Sequence, residues 1–554
     1  MALPTTSVPL LLRLAAGCTR QRVVPAFFGL LTLLGLLLHR DFGVSWDEPT
    51  DHLNGIVNAK YIGQQLAPEL ARRQATYATI PELANYHDND HGVAFEIPVT
   101  LLSFVFTPGD SRPYYLMRHL LIFFTFLGGT WALYNIGRIW LRDWRFGLAA
   151  AALLVLSPRF FVEAFTNGKD IVFMAFFTLA MYTLVRLLRR PTPGRAVGHG
   201  IATALAIDVR ILALMLLAFT LVMVMLELLP RPAAAADPAE PAARVSPARW
   251  LLLLLLYIGV TVVGVIIGWP HLWEAPLTNF LHAFASLSHY DWPFSNLYFG
   301  RLIPGATPVW HYLPVWIIIT TPVAYTLASL IGLGAWVTRA FRLGLAGLHT
   351  LAGRLDWLIA GWLLGPLLVI IVLHSVVYDS WRHVYFVYPA LLLLAARGLQ
   401  VLTTALARRS VGRTVALTFL VLAALELGRT VTHMVRTHPH EHVYFSFLPA
   451  ATVERLFDRD YWCLSFRKGA EWILAHDADP QISINVERHY PLYANLQILP
   501  AADRARLHFV PRNRARYFMT TYRWHPQSFR DSLGPEVHAI YAGDIKILSV
   551  FRMR

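Results

Sequence analysis

Four short stretches of the chain place ionisable side chains where long apolar segments begin or end. Ser45-Trp46-Asp47-Glu48-Pro49 follows the first apolar run, and Glu163 to Asp170, containing Asn167-Gly168-Lys169-Asp170, separates two others. Arg210 interrupts the apolar stretch from Ile207 to Leu229, and Arg382-His383 stands between Trp381 and Val384 to Leu394. Adjacent carboxylates such as Asp47 and Glu48 can take a proton from a nucleophile or bind a divalent cation. Arg210 and Arg382 are permanently charged forks of the kind that grip phosphate. Carboxylates and permanent cations at such positions are compatible with proton abstraction and with holding an anion.

Each stretch also has a plainer reading. Pro49 and the acids before it suit the first turn of a helix, where a carboxylate gains about 0.3–1 kcal/mol from the dipole. Lys169 and Asp170 could pair at a membrane edge, and lone arginines near a bilayer snorkel. Location favours chemistry: these carboxylates sit at a membrane exit, and Arg210 and Arg382 fall on the face that should be poor in cations. A fifth cluster, His87-Asp88-Asn89-Asp90-His91 with Glu96 close behind, places four possible ligands within five residues. Its spacing matches no specific metal motif, so a solvated turn competes with a divalent-ion site at Asp90 and His91.

The elements that must carry these residues are helices in lipid. The chain is 56% hydrophobic and 15% charged, too apolar for ordinary soluble cores. A span needs roughly 20 apolar residues, and eleven segments qualify: 23–39, 114–141, 146–163, 170–188, 196–208, 211–229, 250–268, 313–338, 355–374, 384–406 and 413–432. The segment 196–208 is the shortest beside the spans around it. The net charge of +14 comes mainly from arginines in short connections, at 142–145, 189–190, 231–249, 339–354 and 408–413. Counting from a cytoplasmic N-terminus, these fall on one side, which is the positive-inside pattern and argues against a nucleic-acid partner. Arg20 and Arg22 before the first span, with no cleavage pattern after His39, read as an uncleaved anchor. The opposite face receives residues 40–113, turns near 157–169 and 375–383, an aromatic loop 269–312, and the tail from 433.

The Pro/Ala-rich stretch 230–247 reads as a cytoplasmic connector. After Pro49, Leu53, Ile56, Val57 and Tyr61 recur at helical spacing, predicting an amphipathic helix in the interface. The tail mixes helical pattern at Gly469 to His476 with strand-like runs at Gln481 to Val486 and Ile545 to Phe551, predicting a small α/β domain at 433–554. Trp269, His271, Trp273, Tyr290, Trp292, Tyr298 and Trp310 could line a prenyl chain or stack on a sugar, although interfacial belts explain such residues without function. Cys18 and Cys463 supply no disulfide framework.

With an acidic pair in the first outer loop, an interfacial helix after it, many spans and a polar tail, the chain resembles the GT-C superfamily of membrane glycosyltransferases. The likeness is greatest to the protein O-mannosyltransferase and aminoarabinose-transferase branch. That resemblance implies an α-helical polytopic catalytic domain over 1–432 in the cell (inner) membrane, using a polyprenyl-phosphate sugar and a protein, lipid or glycan acceptor. It implies inverting transfer of a hexosyl or pentosyl group, mannosyl among them. It puts Asp47, Glu48 and Asp170 in catalysis, with Arg382, Arg210, Lys169, Asn167 and His383 at the donor phosphate. His91 matches a loop position facing the active site in related transferases, and no cofactor is assigned beyond a divalent metal at His91 and Asp90. The competing reading is a transporter or flippase of lipid-linked saccharides, which would carry ionisable groups deep within its spans.

This sidedness has a direct check. Tags in the 40–113 loop and after Arg554 are expected outside the cytoplasm, and a tag near Ala235 inside it, by protease or thiol accessibility in intact cells. Finding both chain ends on one side would remove one of the eleven crossings.

Overall fold

The computed structural model describes residues 19–553 apart from 75, 230–244, 289–291, 408–410, 528 and 530–532. Cys18, Tyr290 and all but the last residues of the 230–247 connector lie outside the described residues. Among the described residues nine helices are long and apolar enough to cross a membrane: Arg20–Leu38, Ser111–Trp140, Asp170–Arg189, Ile211–Leu228, Pro247–Gly268, Val323–His349, Leu351–Val372, Arg382–Leu406 and Gly412–Thr437. The first and last are peripheral and expose leucines such as Leu33, Leu37, Leu422 and Leu425. Asp170–Arg189 and Arg382–Leu406 are mostly buried and form the centre of the bundle.

Three expected spans take a different form. The segment 146–163 is a bent pair, Trp144–Val155 and Pro158–Thr166, turned by 70°. Pro158 opens the second piece, where its missing N–H is harmless, and biases Ser157 out of helix. The segment 313–338 is likewise cut at Thr321-Pro322, with Thr321 extended between helices Tyr312–Thr320 and Val323–Leu343. The segment 196–208 is a helix of 15 residues, Pro193–Ile207, whose length of about 22 Å falls short of a hydrocarbon core of about 30 Å. It nevertheless returns along its predecessor. Arg210 just beyond its end contacts Asp170 at the start of Asp170–Arg189, and Arg249 donates to the Pro191 carbonyl in the turn before it at 3.2 Å.

The helix after Asp47 spans Glu48–Leu66, but its buried face is chiefly polar: Glu48, Asp51, Asn54, Asn58 and Lys60 point inward with Gly55 and Val57. It packs on protein rather than lipid. The short helix Glu96–Phe106 beside it exposes Leu101, Phe104, Val105 and Phe106 and takes the apolar surface role. In the tail, helix Phe466–His476 covers a five-stranded sheet in the order 507–509, 482–486, 517–520, 545–552, 536–542. The first three strands are parallel and the last two antiparallel. Alternate residues Ile482, Ile484 and Val486 pack with Met519, Leu548 and Val550 in its core.

The sheet region is docked on the segment that leads to Asp47. Buried Asn495 accepts from the Val44 N–H at 3.2 Å and donates to the carbonyls of Val44 and Cys463, both at 3.0 Å, and Pro491 at 2.8 Å. Arg467 reaches the carbonyls of Arg40 and Phe42 at 2.7 and 2.6 Å. Asn495→Ala strands buried backbone groups that each cost about 1–3 kcal/mol when unmet. Its thermal unfolding in detergent is expected to be destabilised by about 2 kcal/mol or more, whereas Gln497→Ala should change little.

Candidate active site

Asp47 is the residue before helix Glu48–Leu66, and its Oδ2 lies 2.6 Å from Nη1 of Arg382. Its side chain is 30% exposed while that of Arg382 is 3% exposed, so the pair joins a solvent-accessible carboxylate to a buried cation. Arg382 also lies 3.5 Å from Asp170 and 3.5 Å from Asp379. Its guanidinium is sandwiched by Tyr378 and Trp462, with ring centroids at 5.1 and 4.7 Å.

Asp170 opens its helix, so the dipole supports its charge. Arg210 closes on its other oxygen. Asn167 is a splint: its Oδ1 accepts from the N–H groups of Lys169 and Asp170 at 3.2 and 2.8 Å, and its Nδ2 donates to Glu163 and Asp170 at 2.8 and 3.1 Å. Both ends of its amide are therefore engaged within the protein. Glu163, held by Tyr385 and Tyr461 at 2.7 and 3.0 Å, anchors the splint to the bundle. Lys169 is half-buried and has no ion-pair partner among the described residues; it lines a small pocket with Asp51, His91, Glu96 and Gly168.

The turn before Arg382 is conformationally expensive. Asp379 and Ser380 have φ of 55° and 68°, a left-handed region that non-glycine residues seldom occupy. The N–H of Asp379 donates to Asn296 at 3.0 Å and that of Ser380 to Tyr312 at 3.1 Å, which holds the turn in place. Asp379 is then shared between Arg382 and Arg523, the latter at 2.6 Å from the C-terminal sheet region. Arg523 lies over the Trp46 ring at 4.5 Å and donates to the Tyr461 carbonyl. Asp47, Asp170 and Asp379 thus alternate with Arg382, Arg210 and Arg523. His383 packs edge-on against Tyr378 at 4.5 Å, and Trp46 meets Trp292, Phe294 and Trp524.

Glu48 faces away from this network. Its Oε1 accepts from the Ser45 N–H at 2.8 Å, and its Oε2 lies 3.5 Å from Arg118 and 3.4 Å from His119. Arg118 also binds Glu96 and, at 3.2 Å, Asp51. Three carboxylates therefore surround one guanidinium in a buried setting, and burial together with Glu96 pushes the Asp51 carboxyl up to about 8. A Cβ at Gly168 would lie 2.3 Å from the Arg118 guanidinium and displace it. Beyond it, His91 Nδ1 lies 2.9 Å from Asp90, and Ser286 donates to Asp90 at 2.6 Å. Although burial would raise the Asp90 carboxyl, these hydrogen bonds hold it at about 2. Among the described residues no group of three His, Cys, Asp or Glu side chains gathers to hold a metal ion; Asp90 and His91 form a pair.

Residues 117–234 match the family model described as dolichyl-phosphate-mannose-protein mannosyltransferase. The chain resembles the GT-C membrane glycosyltransferases. Solved GT-C structures similar to it include ArnT from Cupriavidus metallidurans bound to undecaprenyl phosphate, at 13% identity and a TM-score of 0.46 over 95% of this chain and 97% of that one. AglB from Archaeoglobus fulgidus, in complex with an inhibitory peptide and a dolichol-phosphate, is similar at 10% identity and a TM-score of 0.44 over 85% and 64%. The arabinofuranosyltransferase AftD from Mycobacteria aligns at 15% identity and a TM-score of 0.42 over 83% and 30%. No curated protein matches the chain by sequence.

The structure brings Asp47, Asp170, Arg210 and Arg382 into one network, with Lys169, Asn167 and His383 beside it. Glu48 sits in the Arg118 cluster, and Asp90 and His91 stand at its edge. Three members were not legible as site residues: Arg118, Asp379 and Arg523. Asp379 had a signal, being three residues before Arg382; Arg523 had none beyond its place between Tyr522 and Trp524.

The Arg118 cluster gives a pH-dependent expectation. The folded state keeps a proton on Asp51 that the unfolded chain has lost between its usual 3.8 and about 8, so stability falls as pH rises through that window, by up to about 1.4 kcal/mol per unit. Asp51→Asn carries no such ionisation. Its melting temperature relative to wild type should climb steadily from pH 5 to pH 8; parallel curves would show that Asp51 is ionised throughout.

Proposed function

We propose that the chain transfers a hexosyl or pentosyl group, with mannosyl the first candidate, from a polyprenyl-phosphate donor to a hydroxyl of a protein, lipid or cell-envelope glycan. The reading places the reaction on the extracytoplasmic face of the cell (inner) membrane. Its main support is the leftover hydrogen-bonding capacity of the network: the Nε groups of Arg382 and Arg210 are buried without a partner. Buried donors of this kind are rarely left unmet, and a phosphate supplies acceptors for both. The carboxylates and guanidiniums of the network balance, and Lys169 adds a cation beside them, so an arriving anion finds positive charge to spare. The matched family's description, which names a dolichyl-phosphate sugar, agrees with such a donor.

In this mechanism Arg382 couples donor binding to the release of Asp47. While paired with Arg382, Asp47 has one carboxylate oxygen occupied; a phosphate that draws the guanidinium to itself leaves that oxygen free for the acceptor hydroxyl. Asp47 then takes the acceptor proton as the acceptor oxygen bonds to the anomeric carbon from the face opposite the phosphate. The carbon–oxygen bond to phosphate breaks, and the lipid phosphate leaves with the electron pair, stabilised by Arg382, Arg210 and Lys169. Inversion follows from the single displacement. Asp170 and Asn167 position the cations rather than touch the sugar.

Purified protein reconstituted with labelled polyprenyl-phosphate sugars is expected to yield transferred label and free polyprenyl phosphate, which neither a flippase nor a scaffold produces. Asp47→Asn should insert and fold normally and lose transfer. Arg382→Ala removes charge-assisted contacts worth about 1.5–3 kcal/mol, so donor affinity or turnover should fall roughly ten- to a hundred-fold. Lysine should restore only part of it, lacking the bidentate fork. Unchanged donor affinity and turnover in folded Arg382→Ala would overturn the phosphate role.

A further inference from the structure

The last span, Gly412–Thr437, ends beside the hairpin formed by strands 536–542 and 545–552, and the two enclose a second crevice of about 200 Å³. None of its lining residues belongs to the networks around Arg382 or Arg118. Arg429 and His433 line it from the span, Asp544 from the hairpin tip, and Tyr444 and Leu448 from the segment between. Gly543, at a φ of 61°, lets the tip turn sharply and lean on the helix: a Cβ there would lie 3.6 Å from the His433 ring and 3.7 Å from Thr437.

The depth of this crevice follows from its neighbours. Leu422 and Leu425, 60% and 66% exposed, mark the lipid-facing side of the last span. One residue later Glu426 accepts from the N–H groups of Val323 and Ala324, each at 2.6 Å, capping the start of the span Val323–His349. Where one span begins and its neighbour is about to end, the bilayer surface is near. Arg429 and His433 lie about one and two turns further out.

The charges are unspent. Glu426 is committed to two backbone groups, but neither Arg429 nor Asp544 has an ion-pair partner among the described residues, and although both line the crevice they do not pair with each other. We propose that this crevice seats the headgroup of a phospholipid bearing both a phosphate and a primary ammonium, the phosphate on Arg429 and His433 and the ammonium on Asp544. An anionic headgroup would satisfy Arg429 but confront Asp544 with like charge. A quaternary ammonium has no N–H to give the carboxylate. The bound lipid ties the C-terminal sheet to the last span at the membrane surface, a role independent of the transferase reaction.

The test uses full-length protein in detergent, with phosphatidylethanolamine, phosphatidylcholine or phosphatidylglycerol added singly and retention read by native mass spectrometry. Wild type is expected to retain phosphatidylethanolamine several-fold better than either other lipid, and glycerophosphoethanolamine, which lacks acyl chains, should displace it. Arg429→Ala should lower that retention several-fold and Arg429→Lys keep most of it, which separates a lost contact from a misfolded protein. Asp544→Asn should bring phosphatidylethanolamine down to the level of phosphatidylcholine without changing the latter. Equal retention of phosphatidylglycerol by wild type, no displacement by the free headgroup, or unchanged retention in Arg429→Ala would each overturn the proposal.

Discussion

A single guanidinium sets the terms for much of this molecule. Arg382 is 3% exposed, and a charge withdrawn from water that far costs several kcal/mol unless carboxylates surround it. Asp47, Asp170 and Asp379 do so, and they come from the first loop, the start of a central helix and a turn in left-handed backbone. Each carboxylate in turn needs more than a share of one cation. Asp170 recruits Arg210, and Asp379 recruits Arg523 from the tail. The shared contacts oblige distant parts of the chain to meet at one point.

The neighbouring Arg118 cluster follows the opposite rule. Three carboxylates share one guanidinium there, and the excess is relieved by keeping a proton rather than by adding a cation. One network is balanced and has donors to spare; the other is acid-rich and has protons to hold. The turn carrying Gly168 and Lys169 lies against the Arg118 cluster and leads directly to Asp170 in the other network. That closeness explains why Asp47 and Glu48, adjacent in sequence, face different environments: at the start of a helix successive side chains point about 100° apart.

The helices were legible because lipid makes a simple demand. All eleven expected segments are helical, since about 20 apolar residues have few alternatives in a bilayer, but among the described residues nine helices, or ten with the bent pair, are long and apolar enough to cross a membrane. The cuts at Pro158 and Pro322 were written in the residues but are averaged away by any window long enough to find a span. The helix after Asp47 was harder: Leu53, Ile56 and Tyr61 suggested a face turned to lipid, whereas its buried face meets Arg118 and Glu96. Asp47, Asp170, Arg210 and Arg382 stood out as charges at the ends of apolar runs. Arg118 was hidden because it lies inside an apolar run, and Arg523 because its partner is 144 residues away, a distance no local pattern spans.

The reach of Arg523 has a consequence for how the molecule comes into being. A chain is made from its N-terminus, so Asp47 is in place early and every span is inserted before residue 523 is synthesised. Until then Asp379 lacks its nearer cation and Trp46 lacks the guanidinium that lies over it. The membrane bundle by itself is an unfinished centre. Completion waits for the last portion of the chain to fold and dock, so a nascent or truncated protein would sit among its lipids with the network open, and competence would arrive as one late event.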